Sequence, residues 1–135
     1  MNPTLEHIIL IIDAHPVYAL KLEGFLRGLT FRHISLTENG GAGIEAARGD
    51  KPGLALVSGM LPDMDATECC RQIRAVSPAT RIIVQTGLFT EDAQIGALRD
   101  SGADHVLPRR EKDWSPLQRA VEDCLELPAG SQKSG

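Results

Sequence analysis

The sequence predicts an α/β fold: a three-layer, doubly wound arrangement in which a parallel five-stranded sheet lies between helices on both faces. Apolar, largely β-branched runs alternate along the chain with segments whose apolar residues recur at helical spacing. The first and third runs are apolar throughout, which is typical of strands buried on both faces of a sheet. With 135 residues, of which 42% are hydrophobic, the chain is long enough for one domain with its own core.

The strands are predicted from the composition of five short segments. The first and third are continuous apolar runs, which predicts burial, whereas the second alternates and is expected nearer an edge of the sheet. The fifth is expected to be short. The predicted strands cover residues 7–12, 31–37, 54–57, 81–86 and 104–107.

The helices are predicted from apolar residues at helical spacing and from residues that start or stop a helix. Pro16 suits the first turn of the first helix, Thr90 is expected to be the N-cap of the fourth, and Pro52 requires the second to end before it. The glycine-rich stretch from Gly40 to Gly43 is expected to be a flexible entry to the second helix. The predicted helices cover residues 16–28, 43–50, 67–76, 90–100 and 112–125.

Polar residues follow several of the predicted strands. In a doubly wound sheet, sites lie beyond the carboxyl ends of the strands, near the point where the winding reverses. These positions offer a carboxylate, hydroxyl groups and a guanidinium to one site. They are Asp13 and Ala14, Ser58 and Gly59, Thr86 and Gly87, and Pro108 and Arg109.

Charge and hydropathy exclude several classes of function for this domain. A formal charge of −4 and a pI near 5.5 argue against a nucleic-acid or membrane surface. The longest apolar run, residues 8–12, is far too short to cross a bilayer, and no secretory signal pattern is visible. Cys69, Cys70 and Cys124 lack the spacing of a metal site. We therefore expect reduced thiols and a cytoplasmic protein.

Four motifs near the strand ends resemble those of a known family. They read IIDAHP, MLPDMDATE, IIVQTG and SGADHVLPRR. Together they resemble the receiver domain of two-component response regulators, a CheY-like domain with a flavodoxin-like fold, over about residues 8–125. The resemblance implies the strand order 2-1-3-4-5. The DxHP start is most similar to the branch that often precedes a helix-turn-helix DNA-binding domain.

The resemblance implies a chemistry, the transfer of a phosphoryl group from a phosphohistidine to an aspartate at the end of the third strand. Two acids after the first strand and this aspartate hold Mg²⁺. A hydroxyl after the fourth strand and a lysine after the fifth contact the phosphoryl group, and an aromatic residue on the fifth strand acts as a switch. Only two positions match the family here. In chain order the positions hold Asp13 and Ala14 (acids), Ser58 (acceptor), Thr86 (hydroxyl), Val106 (aromatic) and Arg109 (lysine).

These departures change the charge of the site. Three carboxylates and one lysine give a formal charge of −2, which a divalent cation balances, whereas Asp13 and Arg109 sum to zero. Mg²⁺ prefers several oxygen ligands, so one carboxylate beside a guanidinium is a poor site. We expect Arg109 to pair with Asp13 through a charge-assisted hydrogen bond, with a bidentate contact as one form of it. We expect no metal, no cofactor and no catalytic residue.

Neighbouring residues offer no replacement for the missing acceptor. A serine hydroxyl is a weak nucleophile unless a base or a metal activates it, and Ser58 is expected to lie beneath loops. His15 is expected to cap the first helix or to lie at the surface. Asp63 and Asp65 are expected to be a turn residue and a helix N-cap.

These expectations favour a pseudo-receiver, a non-enzymatic domain that binds a protein partner or a second copy of itself. The expected surface is that of the fourth and fifth helices with the fifth strand, or that of the first and fifth helices. Two alternatives stay open: a phosphoaccepting receiver with non-standard residues, and a small anion- or nucleotide-binding protein on the same scaffold. The predicted domain covers residues 1–127. Residues 128–135 have the composition of a linker or a disordered tail, which suits a connection to an output domain.

Overall fold

A computed structural model describes residues 6–87 and 90–128 of the chain. The elements, in chain order, are β1 (Ile8–Ile12), α1 (Pro16–Gly28), β2 (His33–Thr37), α2 (Gly40–Asp50), β3 (Leu54–Ser58), α3 (Ala66–Val76), β4 (Arg81–Thr86), α4 (Asp92–Asp100), β5 (His105–Pro108) and α5 (Ser115–Cys124). The strands form one parallel sheet in the order β2-β1-β3-β4-β5. This confirms the predicted α/β fold and the strand order that the resemblance implied.

Two apolar clusters make up the core, one on each face of the sheet. Ile9 and Ile11 of β1 enter the cluster that α1 and α5 cover, while Leu10 and Ile12 enter the cluster beneath α2, α3 and α4. Successive side chains of a strand point to opposite faces, so a continuous apolar run serves both clusters. The result is the predicted three-layer arrangement.

The register of the strands brings their carboxyl ends to one edge of the sheet. Ile12 of β1 lies beside Val57 of β3, and Ser58 lies beside Gln85 of β4. The residues that follow these positions therefore meet in space although they are far apart in the chain. In addition, the backbone N–H of Arg109 donates to the Thr86 carbonyl at 2.9 Å, which extends the pairing beyond β5.

The second helix begins earlier than the sequence predicts. Asn39 is its N-cap, and the Asn39 side chain accepts a hydrogen bond from the Ala42 N–H at 2.8 Å. A side chain at Gly40 would overlap that of Met64. The expectation of a flexible glycine-rich entry is therefore wrong, because these glycines form the first turn of α2 and permit close packing.

Other boundaries differ from the prediction by a few residues. Glu91, not Thr90, is the N-cap of α4, since the Glu91 N–H donates to Gln94 Oε1 at 3.2 Å. The Thr90 hydroxyl instead donates to the Gly87 carbonyl at 2.9 Å. α5 begins at Ser115, just ahead of the proline that suits its first turn, rather than at residue 112.

Three further expectations concern the chain as a whole. All three cysteines are buried and free, in agreement with the expected reduced thiols. Within the described residues, no helix combines the length and the apolar character that crossing a membrane requires. The predicted linker at residues 128–135 lies, apart from Pro128, outside the described residues and stays a prediction.

Candidate functional site

Asp13, Ser58 and Arg109 form one hydrogen-bonded cluster at the carboxyl edge of the sheet. Arg109 Nη2 donates to Asp13 Oδ2 at 2.8 Å and to Ser58 Oγ at 3.1 Å. The Asp13 side chain is 4% exposed and that of Arg109 is 26% exposed, so solvent screens this ion pair only weakly. The predicted pairing of Asp13 with Arg109 is confirmed, although it uses one guanidinium nitrogen and is not bidentate.

The hydroxyl of Ser58 is fully engaged in local hydrogen bonds. It donates to the Met60 carbonyl at 3.0 Å, and it accepts from the Met60 N–H at 3.1 Å and from Arg109. A hydroxyl has one hydrogen and two lone pairs, so this arrangement uses all of its capacity. Ser58 is also buried, as expected for a strand-end residue beneath loops. The side chain thus links β3 to the following turn and to Arg109.

The second oxygen of Asp13 fixes the start of α1. Asp13 Oδ1 accepts a hydrogen bond from the His15 N–H at 2.9 Å. His15 is the N-cap of α1, and its Nδ1 accepts from the Tyr18 N–H at 3.2 Å, which confirms the expected capping role. Ala14 is exposed and brings only a methyl group to this edge. Both carboxylate oxygens of Asp13 are therefore occupied by protein donors.

Tyr18 packs against the cluster from α1. The Arg109 Cζ lies 4.1 Å from the centroid of the Tyr18 ring, within the range of a cation–π contact. The Tyr18 hydroxyl accepts a hydrogen bond from Gln85 Nε2 at 2.6 Å. Tyr18 is 1% exposed, and this burial raises the pKa of its phenol, which stays neutral at physiological pH.

The sequence alone predicts Tyr18 only as part of the apolar stripe of the first helix. The signal that could have placed it at the site is Gln85, an amide that directly follows the apolar run of residues 82–84 in a buried strand. A buried amide needs a hydrogen-bond partner, and the partner here comes from α1.

Thr86 and Val106 lie at this edge of the sheet but outside the hydrogen bonds of the cluster. The Thr86 hydroxyl donates to the Leu107 carbonyl at 3.5 Å, within the sheet. Thr86 also lines an open cleft of about 680 Å³ between the start of α3 and α4. Val106 packs against the apolar cluster beneath α3 and α4. The structure therefore joins three of the predicted residues and leaves these two apart.

Asp63 has a structural role that the sequence does not reveal. Its Oδ1 accepts from the Gly40 N–H at 2.8 Å and its Oδ2 from the Gly41 N–H at 2.9 Å. These backbone hydrogen bonds lower the pKa of Asp63. Asp63 lies in the bend between β3 and α3, as expected of a turn residue, and it also closes the N-terminus of α2. Asp65 occupies the predicted N-cap position of α3.

A second group of polar side chains lies at the opposite edge of the sheet. His105 Nε2 lies 2.8 Å from Asp123 Oδ2, and Cys124 Sγ lies within 4.8 Å of both. The Arg81 guanidinium reaches the same Asp123 oxygen at 3.8 Å, and burial raises the pKa of Cys124 to about 12. A nearby guanidinium and a protonated thiol both disfavour a cation, so these contacts are best understood as anchoring α5 to the sheet.

Comparison with known proteins places this chain in a family. A family model described as the response regulator receiver domain matches residues 9–120. The transcriptional regulatory protein ZraR of Klebsiella oxytoca is 25% identical over 117 residues, which are 87% of this chain and 26% of that protein. The response regulator MprA of Mycolicibacterium vanbaalenii is 29% identical over 89 residues, which are 64% of this chain and 38% of that protein.

A solved structure supports the same assignment. A two-component response regulator from Clostridium difficile superposes with a TM-score of 0.81 at 28% identity, over 90% of this chain and 97% of that one. The chain spans only about a quarter to two fifths of the length of the two curated relatives. Since the family model covers most of the sequence and the strand order agrees, the chain belongs to the response regulator receiver domains of two-component signalling.

Proposed function

We propose that this receiver domain is a pseudo-receiver, a regulatory module that binds a protein partner without being phosphorylated. The observation that carries the proposal is the bridge from Arg109 to Asp13 and Ser58. Through this bridge the charges of the site compensate each other inside the protein, and the hydroxyl at the acceptor position has no free hydrogen-bonding capacity. The site is thus complete without a metal or a phosphoryl group.

The residues at the site do not fit Mg²⁺, the metal that the family resemblance implies. This cation prefers near-octahedral oxygen ligands, usually with one or two carboxylates. Among the described residues of the cluster, only Asp13 offers a carboxylate, and both of its oxygens accept hydrogen bonds from the protein. Ala14 offers no ligand, and the positive charge of Arg109 opposes a cation. We therefore propose a domain without a metal or another cofactor.

Ser58 is likewise a poor phosphoryl acceptor. Its hydroxyl would need a base to remove the proton that it now donates to the Met60 carbonyl. Phosphoryl transfer also depends on a metal and on positioned charges that stabilise the transferred group. The domain is therefore proposed to have no catalytic activity of its own.

The exposed apolar side chains favour the α1/α5 face as the surface that binds the partner. Val17 and Leu20, one turn apart on α1, are 56% and 63% exposed. The other large apolar side chains that are exposed in the described part of the chain are Leu36 and Met60. None of the four lies on α4, β5 or α5, so the α4–β5–α5 face is the second candidate for a partner or a second copy.

The wider role of the protein follows by analogy with its relatives. The names of the matched proteins, a transcriptional regulatory protein and a response regulator, support a role in transcription regulation. We propose a cytoplasmic location for it. We propose that the domain lies N-terminal to a DNA-binding output domain, with residues 128–135 as the linker. The acidic net charge of −4 supports a domain that itself contacts neither DNA nor a membrane.

An NMR titration tests the proposal. Amide shifts of the wild type are recorded with Mg²⁺ and then with beryllofluoride, a phosphoryl analogue. The same titration is repeated on a variant that carries Ala14→Asp and Ser58→Asp. We expect no response from the wild type and a response at the carboxyl edge of the sheet in the double variant, because the two substitutions restore the missing carboxylates.

A matched control adds two carboxylates at the opposite edge of the sheet, through Ala79→Asp in the turn before β4 and His33→Asp at the start of β2, both at exposed positions. This control should stay as silent as the wild type. Wild-type shifts that cluster at Asp13, Ser58 and Arg109 would contradict the proposal. A double variant that also stays silent would show that the two substitutions do not account for the loss of chemistry.

A further inference from the structure

We propose that Arg109 couples the site at the carboxyl edge of the sheet to the α1/α5 face through Tyr18 and Trp114. The coupling rests on the proposed function, since it explains how that face would be regulated in a domain that is not phosphorylated. Arg109 is a positioning residue in this scheme: its contact with the Tyr18 ring is sensitive to whether its Nη2 is bound to Asp13.

The first step of the route is the guanidinium of Arg109. One of its nitrogens binds both Asp13 and Ser58, and its central carbon lies 4.1 Å from the centroid of the Tyr18 ring. A planar guanidinium can bind a carboxylate at its edge and stack on a ring with its face at the same time. If the edge of the Arg109 guanidinium binds a different partner, the position of its face over the Tyr18 ring therefore changes as well.

The second step is a stack of aromatic rings that crosses from α1 to α5. The rings of Tyr18 and Trp114 have centroids 6.0 Å apart and an interplanar angle of 20°. Trp114 in turn stacks on Phe25, with centroids 4.8 Å apart and an angle of 16°. Trp114 is the N-cap residue of α5. A displacement of the Tyr18 ring would thus reach the start of α5 through direct contacts.

The other face of the sheet lacks an equivalent route among the described residues. Thr86 bonds to the Leu107 carbonyl and not to the cluster, and Val106 is an aliphatic residue in the apolar cluster beneath α3 and α4. Neither contact joins the Asp13–Arg109 pair to α4. The contacts of Arg109 therefore favour α1 and α5 as the elements that respond.

The Asp13–Arg109 pair can be opened from outside the domain. Arg109 is 26% exposed, so an acidic side chain of a partner could compete with Asp13 for the guanidinium. Such a partner shifts the equilibrium only as far as it binds the open arrangement more tightly than the closed one. Opening of the pair by the partner would then move Arg109 against the Tyr18 ring and so affect the α1/α5 face.

The substitution Asp13→Asn tests the coupling, because it removes the charge that holds Arg109. Trp114 is the only tryptophan of the chain, so fluorescence excited at a wavelength that indole absorbs and tyrosine does not reports on this residue alone. The control is Asp100→Asn, which removes one negative charge from an exposed position of α4. We expect Asp13→Asn to change the Trp114 emission more than the control does, and to shift the amides of α1 and α5 more than those of α3 and α4.

Breaking the route should remove this response. In a Tyr18→Leu background, Asp13→Asn is expected to leave the Trp114 emission unchanged. If Tyr18→Leu does not fold, Arg109→Gln serves instead, since it removes the guanidinium itself. An Asp13→Asn variant whose emission matches the control, or whose amide shifts extend into α4 rather than α1 and α5, would overturn the coupling.

The test separates the coupling from the proposed function. It uses neither Mg²⁺ nor beryllofluoride, and it reads only the effect of the Asp13 charge on Trp114. If the wild type binds both reagents and Asp13→Asn still changes the Trp114 emission, the pseudo-receiver is refuted and the coupling is retained. If the wild type binds neither reagent and Asp13→Asn leaves the Trp114 emission unchanged, the coupling is refuted and the pseudo-receiver is retained.

Discussion

At the scale of residues, the side chain of Arg109 balances the charge of the site and binds its two other polar side chains. The Asp13 carboxylate is almost fully buried, and without a cation beside it the charge would be strongly destabilising. Arg109 supplies that cation and also donates to Ser58 from the same nitrogen. Charge-assisted hydrogen bonds of this kind are among the stronger polar contacts in proteins. The stability of this edge of the sheet should therefore depend on the pair.

A double-mutant cycle measures this dependence. We expect Asp13→Asn and Arg109→Gln each to lower the free energy of unfolding by about 1–3 kcal/mol, since each leaves a partly buried partner unpaired. The coupling free energy between them should be about 0.5–3 kcal/mol in urea denaturation. The exposed pair of Lys21 and Glu111, at 3.3 Å, is the control and should show a coupling below about 1 kcal/mol. Strictly additive effects of Asp13 and Arg109 would contradict the expectation.

The thiols provide a second prediction at this scale. Desolvation by burial raises the pKa of Cys69 to about 12, of Cys70 to about 11 and of Cys124 to about 12. Because the thiolate is the reactive form, the folded domain should react with a thiol reagent at pH 8 only as fast as it opens. Adding urea should release all three thiols. Rapid reaction of the folded domain would show that at least one thiol is accessible.

The same raised pKa values set the sign of a pH effect. The thiols stay protonated in the folded state above their ordinary pKa of 9.0, whereas the unfolded chain loses these protons. The contribution to stability is therefore present below about pH 9 and is lost as the pH rises toward the folded values. The free energy of unfolding should fall between about pH 9 and pH 12.

At the scale of elements, α2 depends on close packing of its glycine residues. A side chain at Gly43 would overlap that of Ile12, which is fully buried in the core. The N-terminus of the helix is held by Asn39 and by the carboxylate of Asp63 from the loop after β3. Small residues, and not conformational flexibility, are therefore what the start of this helix requires.

Two alanine substitutions distinguish packing from helix propensity. Replacing a glycine in a helix by alanine ordinarily stabilises the protein by about 0.5–1 kcal/mol. Gly24→Ala in α1, where an added Cβ would meet nothing within 4 Å, should follow this rule. Gly43→Ala should instead destabilise by about 1–3 kcal/mol, because the overpacked core must shift. Thermal or urea unfolding measures the stability of both variants. A stabilised Gly43→Ala variant would show that the Ile12 side chain can move to accommodate the added Cβ.

Asp63 makes the stability of α2 sensitive to acid. Hydrogen bonds from Gly41 and Gly40 lower the pKa of this carboxyl below its ordinary value of 3.8. The contribution of Asp63 is therefore present above about pH 3.8 and is lost as the pH falls through the lower folded value. Asp63→Asn should unfold at lower urea concentration at pH 7, because asparagine keeps one acceptor oxygen and its NH₂ group cannot accept the hydrogen bond from the second N–H. The difference from the wild type should shrink in acid, and a constant difference would exclude this role.

At the scale of the whole molecule, strand order decides which residues carry the core. β1 lies between β2 and β3, so its side chains are covered on both faces, whereas β2 lies at the edge of the sheet. Ile11 of β1 and Leu36 of β2 are neighbours in register, yet Ile11 is fully buried and Leu36 is 39% exposed. Two adjacent aliphatic residues are therefore expected to differ in their contribution to stability because their strands hold different positions in the sheet.

Truncation of these neighbours tests the contrast. Ile11→Ala removes buried methyl groups and leaves a cavity, and it should lower the free energy of unfolding by about 2–5 kcal/mol. Leu36→Ala should lower it by less than about 1 kcal/mol, since exposed edge positions contribute little. Urea denaturation of both variants at pH 7 measures the two values. Similar losses at the two positions would mean that β2 is covered in solution by another molecule.

Much of the fold and part of the site can be predicted from the sequence. The continuous apolar runs of β1 and β3 identify buried strands because a strand covered on both faces has no polar face to show. Asp13, Ser58 and Arg109, which follow the predicted first, third and fifth strands, are predicted to meet because parallel strands end at one edge of the sheet. The opposite charges of Asp13 and Arg109 then predict their pairing.

Other features depend on contacts between distant segments, and only the tertiary structure decides them. Asp63 binds the start of α2 across 22 residues of chain, and Tyr18 meets Gln85 across 67 residues. Local composition reports the preferences of a residue and of its near neighbours, so a glycine-rich start resembles a loop until the packing of Ile12 against Gly43 is known. The sequence by itself thus determined the order of the elements and the charge balance of the site, whereas the tertiary structure decided which partners complete each polar group.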